Sequence, residues 1–133
     1  MADKVILIID DEKEVCKIVK EGLERRGLFE VIAAHDGKDG IHKAKKAQPD
    51  LILLDIDMPS MNGFKVLELL KAGRKTYHIP VVMLTSQTDE DFKITASALY
   101  CEDYITKPVG PAELKAKVDA VLARYALSPD DED

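Results

Sequence analysis

Short runs of aliphatic residues recur along this chain, and each is followed by a segment with the periodicity of an amphipathic helix. The runs do not alternate with polar residues, which is typical of strands covered on both faces. Five such β–α repeats predict an α/β fold with one doubly wound, parallel, five-stranded sheet. The predicted strands are residues 5–9, 29–34, 51–54, 81–84 and 103–106, and the predicted helices are 12–26, 38–47, 63–72, 88–99 and 111–127.

Capping and breaking residues mark the ends of several predicted helices. Asp11, with Glu14 three residues later, predicts a capping box at the first helix. Asn62 is expected to cap the third helix and Gly73 to end it. Pro111 suits the first position of the last helix.

Composition indicates one soluble globular domain. The chain has 133 residues, of which 46% are hydrophobic and 33% charged. Four acidic residues at the C-terminus carry −4 of the net charge of −6, which leaves −2 for the rest and no basic footprint for nucleic acid. No apolar run approaches the roughly 18 residues that span a bilayer. We therefore predict a cytoplasmic protein without membrane or direct nucleic-acid contact, with residues 1–127 as one domain and 128–133 as an acidic flexible tail.

The histidines and cysteines do not form a recognisable site. Cys16 and Cys101 are predicted to be free thiols because two cysteines at this separation make no metal or disulfide framework. His35, His42 and His78 lack ligand spacing and are predicted to be surface or boundary residues, with His35 away from any acidic cluster.

Polar residues follow the predicted strands at their carboxyl ends, where the reactive crevice of an open parallel sheet lies. Asp10 and Asp11 follow the first strand, and Asp55 and Asp57 follow the third. Like charges this close cost energy unless a cation is present. An all-oxygen site with few protein ligands predicts Mg²⁺, with Mn²⁺ as a substitute.

The fourth and fifth strands add donors at the same edge. Thr85 supplies a hydroxyl and Lys107 an ammonium group, and both could hold phosphoryl oxygens. A carboxylate beside a divalent cation, a hydroxyl and an ammonium group has the parts for phosphoryl transfer to an aspartate. The chain contains no Gly-rich phosphate loop that would suggest nucleotide binding.

Four motifs, in order, resemble the receiver domain of two-component response regulators, close to the stand-alone chemotaxis type. The resemblance covers residues 4 to about 127 and implies the flavodoxin-like strand order 2-1-3-4-5. The motifs are Asp10-Asp11, Asp55-x-x-Met58-Pro59-x-x-x-Gly63, Thr85, and Tyr104-x-x-Lys107-Pro108.

The resemblance implies a role for each acidic residue. Asp55 would be the phospho-accepting nucleophile. Asp11 and Asp55 would bind Mg²⁺ through their side chains, Asp10 would do so directly or through water, and the backbone carbonyl of Asp57 would be a further ligand.

The resemblance also implies a switch. Lys107 would pair with the phosphoryl group, and its bond to Pro108 would be cis. Thr85 would move to hydrogen-bond the phosphoryl group, with the Ser86 hydroxyl beside it, and Tyr104 would follow Thr85 inward. The surface of the fourth helix, fifth strand and fifth helix would then change, which alters partner binding.

Several residues depart from the usual family pattern. Asp57 and Gln87 occupy variable positions beside any attacking water, so they are predicted to tune the lifetime of the phosphate. Ser86 replaces a small apolar residue, and Tyr100-Cys101 stands where a Gly-Ala pair is common. Ser86 adds a hydroxyl near the pocket, and without that glycine the fourth helix must end differently.

The leading prediction is a phospho-switch whose only catalysis is its own phosphorylation and dephosphorylation. Its partners would be a histidine kinase or histidine phosphotransfer protein and an unknown output protein, and the chain would be a monomer or a weak phosphorylation-dependent dimer. One alternative is a phosphate-independent interaction domain of the same fold. Another is a haloacid-dehalogenase-type phosphatase, suggested by Asp55-Ile56-Asp57, although that signature usually follows the first strand and Pro59 breaks it.

Overall fold

The computed structural model describes residues 4–27, 29–59, 61–86 and 101–126, with side chains described through residue 125. The predicted helix at 88–99, Gln87, Tyr100 and the predicted acidic tail lie outside these residues. The described strands are β1 (Lys4–Ile9), β2 (Phe29–Ala34), β3 (Leu51–Asp55), β4 (Val81–Thr85) and β5 (Asp103–Thr106). The described helices are α1 (Lys13–Arg26), α2 (Gly37–Ala47), α3 (Gly63–Ala72) and the C-terminal helix (Pro111–Ala126).

The five strands form one parallel sheet in the order β2-β1-β3-β4-β5, which confirms the predicted fold class and strand order. Ile9 lies opposite Ala34 in β2 and Leu54 in β3. Thr85 lies opposite Thr106 in β5. This register places the carboxyl ends of the strands at one level, so the residues that follow them share one edge of the sheet.

The sheet is covered on both faces, which explains the unbroken aliphatic runs. Ile6, Ile8 and Leu53 belong to a core layer with α1 and the C-terminal helix. Leu7 and Ile52 belong to the opposite layer, with α2 and α3. All five of these side chains are fully buried, and each contributes roughly 1.5–3 kcal/mol of hydrophobic free energy.

Two strands extend one residue beyond their predicted ends. The N–H of Ile56 donates to the Leu84 carbonyl at 3.1 Å, and the N–H of Lys107 donates to the Thr85 carbonyl at 2.7 Å. These ladder bonds keep Asp55 and Thr85 inside their strands. Sheet hydrogen bonding therefore fixes the backbone at Asp55 and Thr85, and neither residue belongs to the following loop.

The caps are partly as predicted. Asn62 caps α3 by accepting from the Lys65 N–H at 3.0 Å, as expected. The prediction that Asp11 and Glu14 form a capping box is wrong. The residue that precedes α1 is Glu12, and no side-chain hydrogen bond caps this helix. The Glu12 N–H instead donates to Asp10 Oδ1 at 2.9 Å.

Gly63 allows α3 to begin directly against the end of β3. Its N–H donates to the Ile56 carbonyl at 2.8 Å. A Cβ at this position would lie 2.6 Å from Ile56 Cα and would overlap the Asp55 carbonyl oxygen. The absence of a side chain at Gly63 thus allows the close approach of α3 to the backbone of Asp55.

No helix among the described residues has the length and apolar character to cross a membrane.

Candidate functional site

Three aspartates meet at the carboxyl edge of the sheet. Asp10 and Asp55 are buried, whereas Asp11 is partly exposed. One carboxylate oxygen from each of the three lies within 4.8 Å of the others. The three acidic side chains that sequence reasoning proposed as metal ligands therefore do come together.

Backbone bonds hold the Asp10 main chain in place. Its N–H donates to the Ala34 carbonyl at 3.0 Å. Its carbonyl oxygen accepts from Cys16 Sγ at 3.4 Å and lies 3.2 Å from His35 Nδ1. The prediction that His35 lies away from the acidic cluster is wrong, because the pairing of β1 with β2 places residue 35 beside residue 10.

Lys107 reaches into the acidic cluster from the end of β5. Its Nζ lies 3.0 Å from Asp10 Oδ2, 3.2 Å from Asp55 Oδ1 and 3.0 Å from Glu12 Oε1. The peptide bond from Lys107 to Pro108 is cis, the configuration that the resemblance implies. Glu12 was not recognised as a site residue from the sequence, and its position directly after the Asp10-Asp11 pair is the only signal for it.

Burial raises the proton affinity of both inner carboxylates. Burial first, and then the charge of Asp10, raises the pKa of Asp55 to about 6, although Lys107 opposes the shift. Burial also raises the pKa of Asp10. Burial alone would lower the pKa of Lys107, but hydrogen bonds to Glu12 and Asp10 outweigh it and raise that pKa. The ammonium group is therefore charged at any physiological pH.

The carboxylate oxygens are incompletely satisfied. Among the described residues, Asp55 Oδ2 is buried and accepts no hydrogen bond. Asp10 Oδ2 lies at ion-pair distance from Lys107 but also lacks a partner with hydrogen-bond geometry. One ammonium group thus serves two buried carboxylates, and one oxygen of each lacks a hydrogen-bond donor among the described residues. A hard divalent cation fits this oxygen-only set, and Mg²⁺ is the cation that such sites favour.

Cys16 is not a competing ligand. The free thiol is buried, and burial raises its pKa to about 11, with the charge of Asp10 adding to the shift. A protonated thiol neither binds a metal well nor acts as a nucleophile. Cys101 is also free, as predicted.

Asp57 and Ser86 lie at the mouth of the site. Asp57 is exposed, and the Ser86 hydroxyl donates to its Oδ2 at 3.4 Å. Thr85 is fully buried at the end of β4, and Tyr104 is half-buried in β5. Gln87, the other predicted lifetime-tuning residue, falls outside the described residues.

An apolar groove of about 360 Å³ opens beside Lys107. Its lining includes Glu12 and Lys107 together with Val15, Ile18 and Val109. Ile18 is 51% exposed, so it presents apolar surface to solvent within this groove. We call this the α1 groove.

Comparison with known proteins decides the family. A sequence model described as the response regulator receiver domain matches residues 6–119. The chain belongs to this family. Receiver domains are the signalling switches of two-component systems, and they interact with histidine kinases and output proteins. The match leaves no support for the haloacid-dehalogenase alternative.

Individual relatives agree with this assignment. The chain is 38% identical over 126 residues to the alkaline phosphatase synthesis transcriptional regulatory protein PhoP of Bacillus subtilis, covering 95% of this chain and 51% of PhoP. It thus spans about half the length of that relative. The chemotaxis protein CheY4 of Vibrio cholerae is 30% identical with a TM-score of 0.85, covering 90% of this chain and 99% of CheY4. A CheY-like receiver domain protein of Methanospirillum hungatei is 29% identical with a TM-score of 0.84, covering 92% of this chain and 96% of that protein.

Proposed function

We propose that this receiver domain accepts a phosphoryl group on Asp55 in a Mg²⁺-dependent reaction, and that the modification switches its binding of an output protein. The observation that carries the proposal is the Asp55 carboxylate itself. It is buried, one oxygen lies 3.2 Å from the Lys107 ammonium group, and the other accepts no hydrogen bond from the described residues. An ionised oxygen held this way is available as a nucleophile.

The proposed transfer requires Asp55 to be ionised, and a pKa of about 6 leaves it largely so at neutral pH. An Asp55 oxygen forms the new P–O bond as the P–N bond to the histidine of a donor protein breaks, and the imidazole keeps the electron pair. Lys107 lies close enough to neutralise charge on the transferred group. Mg²⁺, when bound, would neutralise further charge on the phosphoryl oxygens. Asp10, Asp11, Asp55 and the backbone carbonyl of Asp57 are the proposed ligands, with Mn²⁺ as a substitute.

The proposed switch runs from Thr85 to Tyr104. Thr85 ends the strand beside Asp55, and the Lys107 N–H bonds its carbonyl oxygen. The Thr85 hydroxyl is the proposed donor to the phosphoryl group, and the Ser86 hydroxyl lies beside that of Thr85 in this proposal. Tyr104 would turn inward once Thr85 has moved. The surface formed by the predicted helix at 88–99, β5 and the C-terminal helix would then bind a different partner.

Further parts of the proposal concern lifetime, assembly and place of action. Asp57 and Gln87 are the proposed lifetime-tuning residues, because an exposed carboxylate at the mouth would face the water that attacks the phosphoryl group. The domain would act in the cytoplasm as a monomer or as a weak phosphorylation-dependent dimer.

Acetyl phosphate tests the proposal directly. We expect the wild-type protein, incubated with Mg²⁺ and acetyl phosphate, to gain the mass of one phosphoryl group. Asp55→Ala should gain none, because the nucleophile is gone. Asp57→Asn is the matched control. It should gain the group and lose it at a different rate.

Two results would count against it. One is a mass gain that persists in Asp55→Ala or without Mg²⁺. The other is the absence of both a gain and a stable beryllofluoride complex, with circular dichroism showing an intact fold. That second result would favour the phosphate-independent interaction domain of the same fold.

The α1 groove is the proposed docking site for the phosphoryl donor. It is lined by Lys107, which pairs with the Asp55 carboxylate, and its exposed Ile18 offers apolar contact. A donor protein that presents a phosphohistidine flanked by apolar side chains would bury this groove.

Ile18→Lys is therefore expected to slow transfer from a protein donor. With any phosphorylated kinase or phosphotransfer protein that modifies the wild type, we expect the rate of phosphoryl transfer to fall about tenfold, because one buried apolar anchor is lost. Phosphorylation by acetyl phosphate should be unchanged. Leu69→Lys, at a 38% exposed leucine on α3, is the control. Equal slowing by both variants, or slowing with acetyl phosphate, would contradict docking at the groove.

A further inference from the structure

Glu12 closes a ring of contacts around the Lys107 ammonium group. Its backbone N–H donates to Asp10 Oδ1 at 2.9 Å, and its Oε1 accepts from Lys107 Nζ at 3.0 Å. The same Nζ lies 3.0 Å from Asp10 Oδ2, which completes the ring. The Glu12 side chain is 60% exposed, that of Lys107 is 15% exposed, and that of Asp10 is fully buried. Glu12 therefore holds the ammonium group from the solvent side, and Asp10 holds it from the buried side.

Glu12 differs from the other two acidic partners of Lys107 in its relation to the candidate metal set. Among the described residues, that set consists of Asp10, Asp11 and Asp55, without Glu12. Asp10 and Asp55 would thus be shared between Lys107 and a divalent cation. The like charges of the cation and the ammonium group repel each other, which would weaken the hold of both aspartates on Lys107. The Glu12 carboxylate would keep its charge for Lys107 alone.

We propose that Glu12 is a positioning residue that keeps the Lys107 ammonium group at the site when a divalent cation occupies the three aspartates. This inference rests on the proposed function, in which Mg²⁺ binds there and Lys107 neutralises charge on the transferred group. Glu12 acts only through Lys107 in this account. Because the pair is open to solvent on the Glu12 side, its loss should change the population of positioned ammonium groups by about two- to five-fold.

Glu14 provides a matched comparison at the same end of α1. It is exposed in the first turn of the helix, whereas the ion pairs of Lys107 are with Asp10, Glu12 and Asp55. Glu14→Ala therefore removes an equal charge two residues away without removing a partner of Lys107. No side chain caps α1, so Glu12→Ala does not remove a cap. Glu12→Gln keeps an acceptor oxygen at the end of a side chain of the same length.

Heteronuclear NMR of the lysine ammonium groups tests the inference without phosphorylation. Lys107→Met identifies the Lys107 resonance, and the rate at which its ammonium protons exchange with water is measured with and without Mg²⁺. With Mg²⁺ we expect exchange about two- to five-fold faster in Glu12→Ala than in the wild type. Glu12→Gln should recover part of the protection, and Glu14→Ala should retain all of it. Without Mg²⁺ the effect of Glu12→Ala should be smaller, because Asp10 and Asp55 still hold the ammonium group.

Phosphorylation by acetyl phosphate gives a second readout. We expect Glu12→Ala to lower the rate constant by the same two- to five-fold factor. In the Lys107→Met background, Glu12→Ala should cause no further loss, because a residue that acts through Lys107 then has nothing to position. An effect of Glu12 that persisted in that background would overturn the positioning role.

The outcomes separate the inference from the proposed function. If Mg²⁺ shifts no backbone amide resonance of the three aspartates in the wild type, the site does not bind the cation and both proposals fail. If Mg²⁺ binds and Glu12→Ala protects Lys107 as well as the wild type does, only the role of Glu12 is overturned. Equally fast exchange in Glu14→Ala would also overturn it, because the effect would then be a general one of removing a carboxylate. If Glu12 protects Lys107 in the Mg²⁺-bound protein but acetyl phosphate adds no phosphoryl group, the positioning role stands and the proposed phosphorylation fails.

Discussion

Asp55→Asn is expected to stabilise the metal-free protein by about 2–3 kcal/mol at pH 7. The reason is the environment of the carboxylate. Its pKa is about 6 in the folded protein, raised mainly by burial, against an ordinary value of 3.8. The folded state therefore holds the charged form less well than the unfolded chain does. Asparagine keeps the shape of the side chain and removes the charge.

The same shift makes wild-type stability fall with rising pH. Between about pH 4 and 6 the folded protein binds more protons at Asp55 than the unfolded chain, so the free energy of unfolding decreases as pH increases through this window. The raised pKa of Asp10 acts in the same direction. Above about pH 6 the contribution of Asp55 is constant. Asp55→Asn should therefore show a shallower decrease than the wild type.

Urea unfolding across this pH range, with a chelator present, measures both effects. Asp36→Asn is the control, since Asp36 caps α2 by accepting the Asp39 N–H and asparagine caps equally well. Added Mg²⁺ should stabilise the wild type more than Asp55→Asn, because the variant lacks one of the proposed ligands. A variant less stable than wild type at pH 7 without metal, or one with an unchanged pH slope, would refute this account of the site.

The fold was predictable because its main determinants are local in the sequence. The unbroken runs at residues 5–9 and 51–54 are buried on both faces, and hydrophobic pattern alone shows this. The ends of β3 and β4 were not predictable in the same way. Asp55 and Thr85 look like loop residues by polarity, and only the hydrogen bonds to neighbouring strands keep them in the sheet.

The sequence pattern predicted which residues meet at the site, but it did not predict which of them form pairs. The rule that strand ends share an edge brings Asp10, Asp55 and Lys107 together although they are far apart in sequence. The pattern does not show that Lys107 also pairs with Glu12 or that His35 lies against the Asp10 carbonyl oxygen. Both contacts depend on the register of strands and on side-chain reach, which are properties of the packed structure.

Gly63→Ala is expected to destabilise the protein by about 2–3 kcal/mol and to lower its melting temperature by about 10 °C. Alanine is the better helix former, so propensity alone predicts a modest gain. The new Cβ, however, would lie 2.6 Å from Ile56 Cα and overlap the Asp55 carbonyl oxygen. Both neighbours are backbone atoms, which cannot move aside without displacing the end of β3. Steric overlap should therefore outweigh propensity.

Gly22→Ala is the matched control, because Gly22 lies inside α1 and the nearest atom to its new Cβ is Pro111 Cβ at 3.9 Å. This contact is ordinary, so the propensity term should dominate and stabilise the protein by about 0.5–1 kcal/mol. Thermal unfolding followed by circular dichroism compares the two variants, and opposite signs are the expected result. Phosphorylation by acetyl phosphate should slow only in Gly63→Ala, since only that change moves the backbone of Asp55. If Gly63→Ala were as stable as Gly22→Ala, the close approach of α3 to β3 would not be what fixes the position of the phospho-acceptor.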